Sequence, residues 1–576
     1  MNGKLCTLNK CRALFTNCTA VLQILLVLLV TVPLGRSVLY TSSVKMAELA
    51  AGEASLLKAI DSDPLLDATH VTVGAPTTSN TDLKRFAKTR LKVVGSTPEA
   101  NRADHPNAAF LLLHAFLHKW QGTLQQTPEL HTVFSTHGVA LPSQEDMEGA
   151  IAGILRLQRV YNISTMDIYA GNYRGFTGPA LSPLTAFAIG RQAFSDGLLT
   201  NSVEWLQFAL NKMRSAAGKA KQEVTSNPED DGVYNKFQIA NAIGLLGRAY
   251  AYKGDYQKAR ELYAECKALD GNNAENAVLA HELKTRPGKA GVSLEKEAIP
   301  REMSELCSRP KQQTVSKIQH FNRCRLKPSL FLPYVRYKEE ILSLEPYASI
   351  FHEVIHDTEI ERLKALVKGQ MTRANVEQGK GEGHVGAHSY VRTSDLGWLW
   401  DTGHPTVKTI SRRVQDITWL NTHNYNAPVG PDSAEALQVL NYGIGGHYNV
   451  HVDNLQSDLP LNLQQSGTRI VTFLFYLSDV DMGGYTVFPK AGISVAPVKG
   501  TALFWCNVNP AQELQDRTLH AGCPVIKGHK WVANKWIWTY GNEYRRPCGP
   551  YPNSTQLDTE DITFSRRHYI PRDSFP

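Results

Sequence analysis

The sequence predicts an α+β multidomain protein, with a helical N-terminal half followed by a C-terminal double-stranded β-helix (jelly-roll) domain. Three observations carry this. A chain of 576 residues exceeds what one hydrophobic core organises, so about three domains are expected. Apolar residues recur at three-four spacing in several runs before residue 280, the mark of amphipathic helices. Between Glu435 and Trp538, short runs rich in β-branched and aromatic residues alternate with turns, as in Arg469-Ile-Val-Thr-Phe-Leu-Phe-Tyr476 and Lys530-Trp-Val-Ala-Asn-Lys-Trp-Ile-Trp538. The net charge of +7 is mild, and no basic block with interleaved aromatics points to nucleic acid.

Lys4, Lys10 and Arg12 precede an apolar run, Ala20–Leu34, broken late by Pro33. The run is short against the ~20 residues of a membrane span. With Gly35 and Ser37 after it, residues 1–37 read as a secretory signal peptide, and no stable membrane span is expected. An uncleaved anchor stays open as the alternative. Cys6, Cys11 and Cys18 leave with such a leader, and six cysteines remain in a compartment that permits disulfides. Asn162-Ile-Ser and Asn553-Ser-Thr are glycosylation sequons.

Residues 38–145 hold two helical runs. In one, Met46, Leu49, Leu56 and Ile60 share a face that Glu53 interrupts; in the other, Phe110, Leu113, Leu117 and Trp120 do. Such helices pack on each other or on a second chain. In residues 146–280, Ile243, Leu246-Gly247, Tyr250, Ala259, Tyr263, Cys266 and Gly271 fit tetratricopeptide positions, with Cys266 as a buried core thiol. Ile189-Gly190, Ser202, Leu206 and Ala209 fit the same template 57 residues earlier instead of 34, so a further helix or loop intervenes. Helix pairs of this kind leave a concave groove, and Tyr169, Tyr173, Tyr234, Tyr250, Tyr252 and Tyr256 are available to line it. Residues 281–339 are charged, with Pro287, Gly288 and Gly291, and read as a linker.

The chemistry is concentrated in residues 340–548, with a tail over 549–576. His451 and Asp453 are two apart, so on a strand both face one side. With a distant His520 they make a two-His-one-carboxylate set, which suits iron(II) with open positions; zinc more often takes three or four His and Cys ligands. His447 shares parity with His451 and lines the pocket or adds a ligand; His529 faces the surface.

The motifs Tyr442-Gly-x-Gly-Gly, His451-x-Asp453, Phe475-Tyr-Leu-Ser-Asp-Val, Gly483-Gly-x-Thr-Val-Phe-Pro489, Lys499-Gly-Thr-Ala-x-Phe-Trp505, His520-Ala-x-Cys-Pro-Val and Lys530-Trp-Val-x-Asn-Lys-Trp536 occur in order. They resemble the catalytic domain of 2-oxoglutarate- and iron-dependent prolyl 4-hydroxylases, and the whole chain resembles the collagen prolyl 4-hydroxylase α subunits. The resemblance implies Fe(II) on His451, Asp453 and His520, with 2-oxoglutarate met by Lys530 and Tyr442. It implies peptide contacts from Arg392 and Trp398, intrachain disulfides Cys307–Cys324 and Cys523–Cys548, and ascorbate as the reductant that rescues the iron. It also implies that residues 38–145 dimerise, that 146–280 bind proline-rich, collagen-like peptide, and that protein disulfide isomerase completes an α2β2 tetramer in the endoplasmic reticulum lumen. The tyrosine placement departs from the vertebrate pattern, which leaves peptide preference open. The expected reaction is procollagen-proline 4-dioxygenation. The alternatives are the same chemistry on another secreted proline-rich protein, or a non-catalytic peptide-binding subunit.

Overall fold

A computed structural model describes residues 40–62, 80–96, 103–219, 234–285, 299–309, 324–374, 392–424, 432–454 and 467–546. The expected signal peptide, Asn553 and Cys548 lie outside the described residues, and Leu39–Pro576 forms one compact unit. No described helix is long and apolar enough to cross a membrane.

The N-terminal helices follow the apolar periodicity. They are α1 (Ser43–Asp61), α2 (Asn80–Ser96), α3 (Pro106–Ala115), α4 (Gln121–Gln126), α5 (Pro128–Ser135), α6 (Gln144–Tyr161) and α7 (Thr165–Tyr169). Ser42, His105 and Ser143 accept from backbone amides at the starts of α1, α3 and α6, satisfying donors that a helix leaves unpaired. Met46, Leu49, Leu56, Ile60, Phe110, Leu113 and Trp120 are all buried within the chain. Of the two expected uses of these stripes, packing on each other or on a second chain, these residues take the first. Glu53, which breaks the α1 stripe, is also buried; it accepts from Arg90 Nε and Nη2 at 2.8 Å each and from Trp120 Nε1 at 2.9 Å. A buried carboxylate persists when its lone pairs are met in this way.

After a short hairpin, β1 (Asn172–Tyr173) and β2 (Phe176–Thr177), come α8 (Pro183–Ser195), α9 (Leu199–Lys219), α10 (Lys236–Lys253), α11 (Tyr256–Leu269) and α12 (Ala274–Thr285). They pack as successive hairpins, α8 on α9 and α10 on α11. Cys266 is buried with its Sγ 3.3 Å from Ala240 O, and burial pushes its thiol up to about 11. Tyr173 and Tyr234 are buried, whereas Tyr169 and Tyr252 are half-buried against Phe208 and Phe194. Asn162 is exposed, at the left-handed C-cap of α6.

Regular structure falls within the expected linker. It holds α13 (Arg301–Cys307), β3 (Cys324–Pro328) and the start of β4 (Arg336–Leu344). The β domain continues with β5 (Tyr347–His352), α14 (Asp357–Val367), β6 (Thr372–Arg373), β7 (Asp395–Leu399), α15 (Pro405–Thr418), β8 (Leu437–Tyr442), β9 (Tyr448–His451) and β10 (Arg469–Tyr476). It ends with β11 (Met482–Gly483), β12 (Thr486–Phe488), β13 (Ile493–Val495), β14 (Ala502–Cys506), β15 (His520–Gly522), β16 (Val525–Lys527) and β17 (Lys530–Trp538). One sheet has nine strands in the order β3-β4-β5-β14-β10-β17-β8-β7-β6, and the other has four, β13-β12-β15-β9. Leu440, Leu474, Tyr476, Leu503 and Val532 of the large sheet pack with Phe488, Ile493 and Val495 of the small one, so the inner core lies between them. The large sheet's opposite face is covered by α14 and α15 through Ile360, Leu363, Ile410 and Val414.

The small sheet's outer face is covered by the N-terminal helices. Tyr485, Val487, Ala521, Cys523 and Ile526 share one core with residues from Met46 to Ala209. The expected boundary at 145/146 therefore falls inside a single core. A disulfide reinforces this seam. Cys307, at the end of α13, is bonded to Cys523, with Cα atoms 5.7 Å apart, and Cys324 is free and exposed on edge strand β3. This corrects the expected Cys307–Cys324 and Cys523–Cys548 pairs. Ser494 Oγ donates to Leu306 O at 3.0 Å, which seats the end of α13 on the small sheet and brings Cys307 to the strand after His520.

Candidate active site

The three expected metal ligands converge from separate strands. β9 and β15 are antiparallel neighbours, and His451 stands opposite His520 in their register. Asp453 follows β9 by two residues. Their nearest ligand atoms lie within 4.8 Å of one another, the one such cluster among the described residues. Asp453 Oδ1 is 3.5 Å from His451 Nε2 and 3.8 Å from His520 Nε2.

Backbone and neighbours fix which atoms face the centre. His451 Nδ1 lies 2.8 Å from Asn449 O and His520 Nδ1 lies 2.9 Å from Thr518 O, so each ring turns Nε2 inward. This is the carbonyl support that metal-binding histidines use to set tautomer and orientation. Asp453 Oδ2 accepts from Thr472 Oγ1 at 2.7 Å and Trp536 Nε1 at 2.9 Å, which leaves Oδ1 toward the histidines. Burial raises the proton affinity of Asp453, but His520, His451 and Arg469 outweigh it and hold the carboxyl far below its usual range. Burial pushes His520 down to about 4, so its imidazole is neutral, the form that ligates. Two imidazoles and one carboxylate, each with its second atom engaged, are a donor set that fits iron(II).

Lys530 opens β17 directly opposite Tyr442 at the end of β8. Both are buried, with Lys530 Nζ 5.4 Å from the Tyr442 ring centre. No described carboxylate is paired with Lys530, and burial pushes its ammonium down to about 7. A buried cation awaiting an anion is the arrangement a dicarboxylate requires.

Arg392 and Trp398 each stand one residue away from the ligands. Arg392 is buried, donates to Gln438 Oε1 at 2.9 Å, and lies 4.6 Å above the Tyr448 ring, which stacks on His451 at 3.5 Å. Trp398 leans on Trp536 at 6.2 Å, the ring whose indole holds Asp453. His447 Nε2 is 2.9 Å from Asn449 Oδ1 and stands outside the three-ligand cluster. His529 keeps 42% of its side chain exposed and faces Asp104 at 3.4 Å. Sequence reasoning missed Thr472, Gln438, Tyr448 and the Arg469–Glu435 pair, whose guanidinium covers Trp536 at 4.0 Å. One signal was present: Thr472 is the polar residue inside the apolar run of β10.

Residues 437–538 match the 2OG-Fe(II) oxygenase superfamily, and residues 67–175 match the prolyl 4-hydroxylase α-subunit N-terminal region. Prolyl 4-hydroxylase subunit alpha-3 of Homo sapiens is 32% identical over 498 residues, covering 82% of this chain and 88% of its own. Prolyl 4-hydroxylase subunit alpha-1 of Homo sapiens is 33% identical over 421 residues, covering 71% and 76%. A solved viral collagen prolyl hydroxylase from Paramecium Bursaria Chlorella virus-1, in its 2OG complex, is 26% identical, covers 33% of this chain and 95% of its own, and gives a TM-score of 0.25. The chain belongs to the prolyl 4-hydroxylase α-subunit family.

Proposed function

We infer that this chain is the catalytic α subunit of a 2-oxoglutarate- and iron(II)-dependent prolyl 4-hydroxylase acting on collagen-like chains. The observation that carries it is the convergence of His451, Asp453 and His520 beside a buried, anion-seeking Lys530. In this reading Nε2 of both histidines and Oδ1 of Asp453 hold the metal, while Thr472 and Trp536 keep Asp453 turned. Lys530 neutralises the far carboxylate of 2-oxoglutarate, and Tyr442, across the strand pair, hydrogen-bonds the same group. When bound, iron and 2-oxoglutarate together supply the oxygen activation, giving succinate and carbon dioxide beside 4-hydroxyproline. Residues of the inner sheet exclude water around that chemistry. Arg392 and Trp398 orient the proline-containing strand next to His451 and Asp453. The half-buried aromatics Tyr169, at the end of α7, and Tyr252, on α10, take a pre-extended proline-rich segment, which loses little entropy on docking.

The finer assignments follow the family resemblance: X-Pro-Gly as the target, ascorbate as reductant, protein disulfide isomerase as partner in an α2β2 assembly, and the endoplasmic reticulum lumen as the compartment. The exposed position of Asn162 supports glycosylation there. The test is mass spectrometry of a Pro-Pro-Gly repeat peptide incubated with the chain co-expressed with protein disulfide isomerase, with iron, ascorbate and 2-oxoglutarate. One added oxygen on the proline before glycine, lost in His451→Ala, is expected. Turnover confined to other proline-rich peptides would keep the chemistry and change the substrate. No turnover on any peptide would overturn the catalytic reading.

A further inference from the structure

The Gly443–Gly446 loop joins the strand of Tyr442 to the strand of His451, and the cosubstrate chemistry leaves its glycines unexplained. Their neighbours explain two of them. A Cβ on Gly443 would meet Tyr40 O at 3.1 Å and Ser43 N at 3.3 Å. A Cβ on Gly445, at φ +67°, would meet Gly153 Cα at 2.9 Å. Gly443 N donates to Thr41 O at 3.3 Å, and Arg156 Nη1 donates to Gly445 O at 2.5 Å. The loop is therefore gripped by residues 40–43 and by α6.

The same N-terminal segment reaches the back of the strand that carries Tyr442. Leu440 and Tyr442 face the inner core, whereas Asn441 alternates to the outer face with Leu437 and Val439. Asp395 of β7 stands directly opposite Asn441, and both are fully buried. Asn441 Oδ1 accepts from Ser43 N at 3.0 Å and Ser43 Oγ at 3.1 Å. Asp395 accepts from Thr41 Oγ1 and from Lys45 Nζ, each at 2.5 Å. Removing one partner of a buried ion pair leaves a stranded charge, so segment and sheet are held in one arrangement.

We propose that residues 40–45 are a positioning strap for the cosubstrate half of the site. Lys45 and Asp395 hold β7 against β8 beside Asn441, the neighbour of Tyr442, whose place opposite Lys530 is thereby fixed, and the strap fixes the glycine loop that leads on to His451. Lys45 touches neither the metal ligands nor the clamp and acts through Asp395 and Asn441. The proposal rests on the reading of Lys530 and Tyr442 as the 2-oxoglutarate clamp.

The test uses the full chain with its partner subunit and compares Lys45→Met, Lys45→Arg and Lys530→Ala. 2-Oxoglutarate binding is measured by equilibrium dialysis with manganese(II), alongside steady-state constants. For Lys45→Met, 2-oxoglutarate Kd and KM are expected to rise about tenfold, the amount one lost positioning contact is worth. Peptide KM and kcat should stay within about twofold, and Lys45→Arg should recover wild-type binding. A folded Lys45→Met that binds 2-oxoglutarate as wild type does, while Lys530→Ala loses binding, overturns the strap and leaves the clamp standing. Lys530→Ala binding as wild type overturns the clamp reading and the strap with it. Where Lys45→Met does not fold, Ser43→Ala, which removes a donor to Asn441, is judged by the same criteria.

Discussion

Asp453 offers one oxygen to a hydroxyl and an indole and keeps the other for the two histidines. That division makes its neighbours testable. Trp536→Phe keeps a ring for Arg469 to cover but removes the N–H donor; Thr472→Val removes the hydroxyl at nearly constant volume. Each should weaken iron(II) or cobalt(II) binding by about 10–100-fold, the usual effect of losing an outer support of a metal ligand. Metal titration checks it, and unchanged affinity in both variants would mean that Oδ2 needs no anchor. Lys530 carries a pH signature. Its ammonium is depressed to about 7 by burial, and the charged form is the one that pairs with a carboxylate. Below about pH 7 the cation is already present. Above it, binding must take up a proton, so 2-oxoglutarate affinity should fall by about tenfold per pH unit until the higher pKa of the bound state is reached. A guanidinium stays charged throughout, so in Lys530→Arg the decline should vanish. A decline that persists there would assign the pH dependence to another group.

At the level of elements, the site was far more legible than its supports. His451-x-Asp453 and Lys530 declare themselves because strand alternation fixes which way they face. The edge strand β3 and the start of β4 did not. Leu326 on β3 is 64% exposed, and Arg336-Tyr-Lys-Glu-Glu340 is charged, so neither shows the apolar alternation of a buried strand, and both fell in the expected linker. The disulfide was illegible for another reason: Cys307 and Cys523 are 216 residues apart, and only the seating of α13 on the small sheet brings them together. Peptide mapping without reduction should recover the peptides of Cys307 and Cys523 as one species, with Cys324 alkylated directly; a Cys307–Cys324 peptide would refute this pairing. Gly445 sits at φ +67° with Gly153 Cα within 2.9 Å of any added Cβ. Gly445→Ala should therefore lower stability by roughly 1–2 kcal/mol or more, a left-handed penalty plus a clash, read as a fall in Tm.

At the scale of the whole molecule, the helical half and the catalytic half are not separable bodies, and their dependence can be weighed. Val487 on the small sheet, Tyr485 just before it and Ile526 on the neighbouring β16 are at most 4% exposed, and their cover comes from the N-terminal core. Exposing three large apolar side chains forfeits about 1.5–3 kcal/mol each, or roughly 5–9 kcal/mol together. A whole domain is stable by only about 5–15 kcal/mol. The strap residues that meet Asp395 and Asn441 would leave as well, stranding a fully buried carboxylate. A fragment spanning residues 324–576 should accordingly aggregate or bind a hydrophobic dye, whereas the full chain should not. Solubility, dye binding and a thermal melt of the two side by side decide the matter. A soluble, monomeric fragment with a sharp transition would mean that the small sheet tolerates exposure and that the shared core is a docking contact between independent domains. Aggregation would mean that the N-terminal helices act as the missing layer of the catalytic fold. That layer would explain why the apolar stripes of α1 and α3 are turned inward.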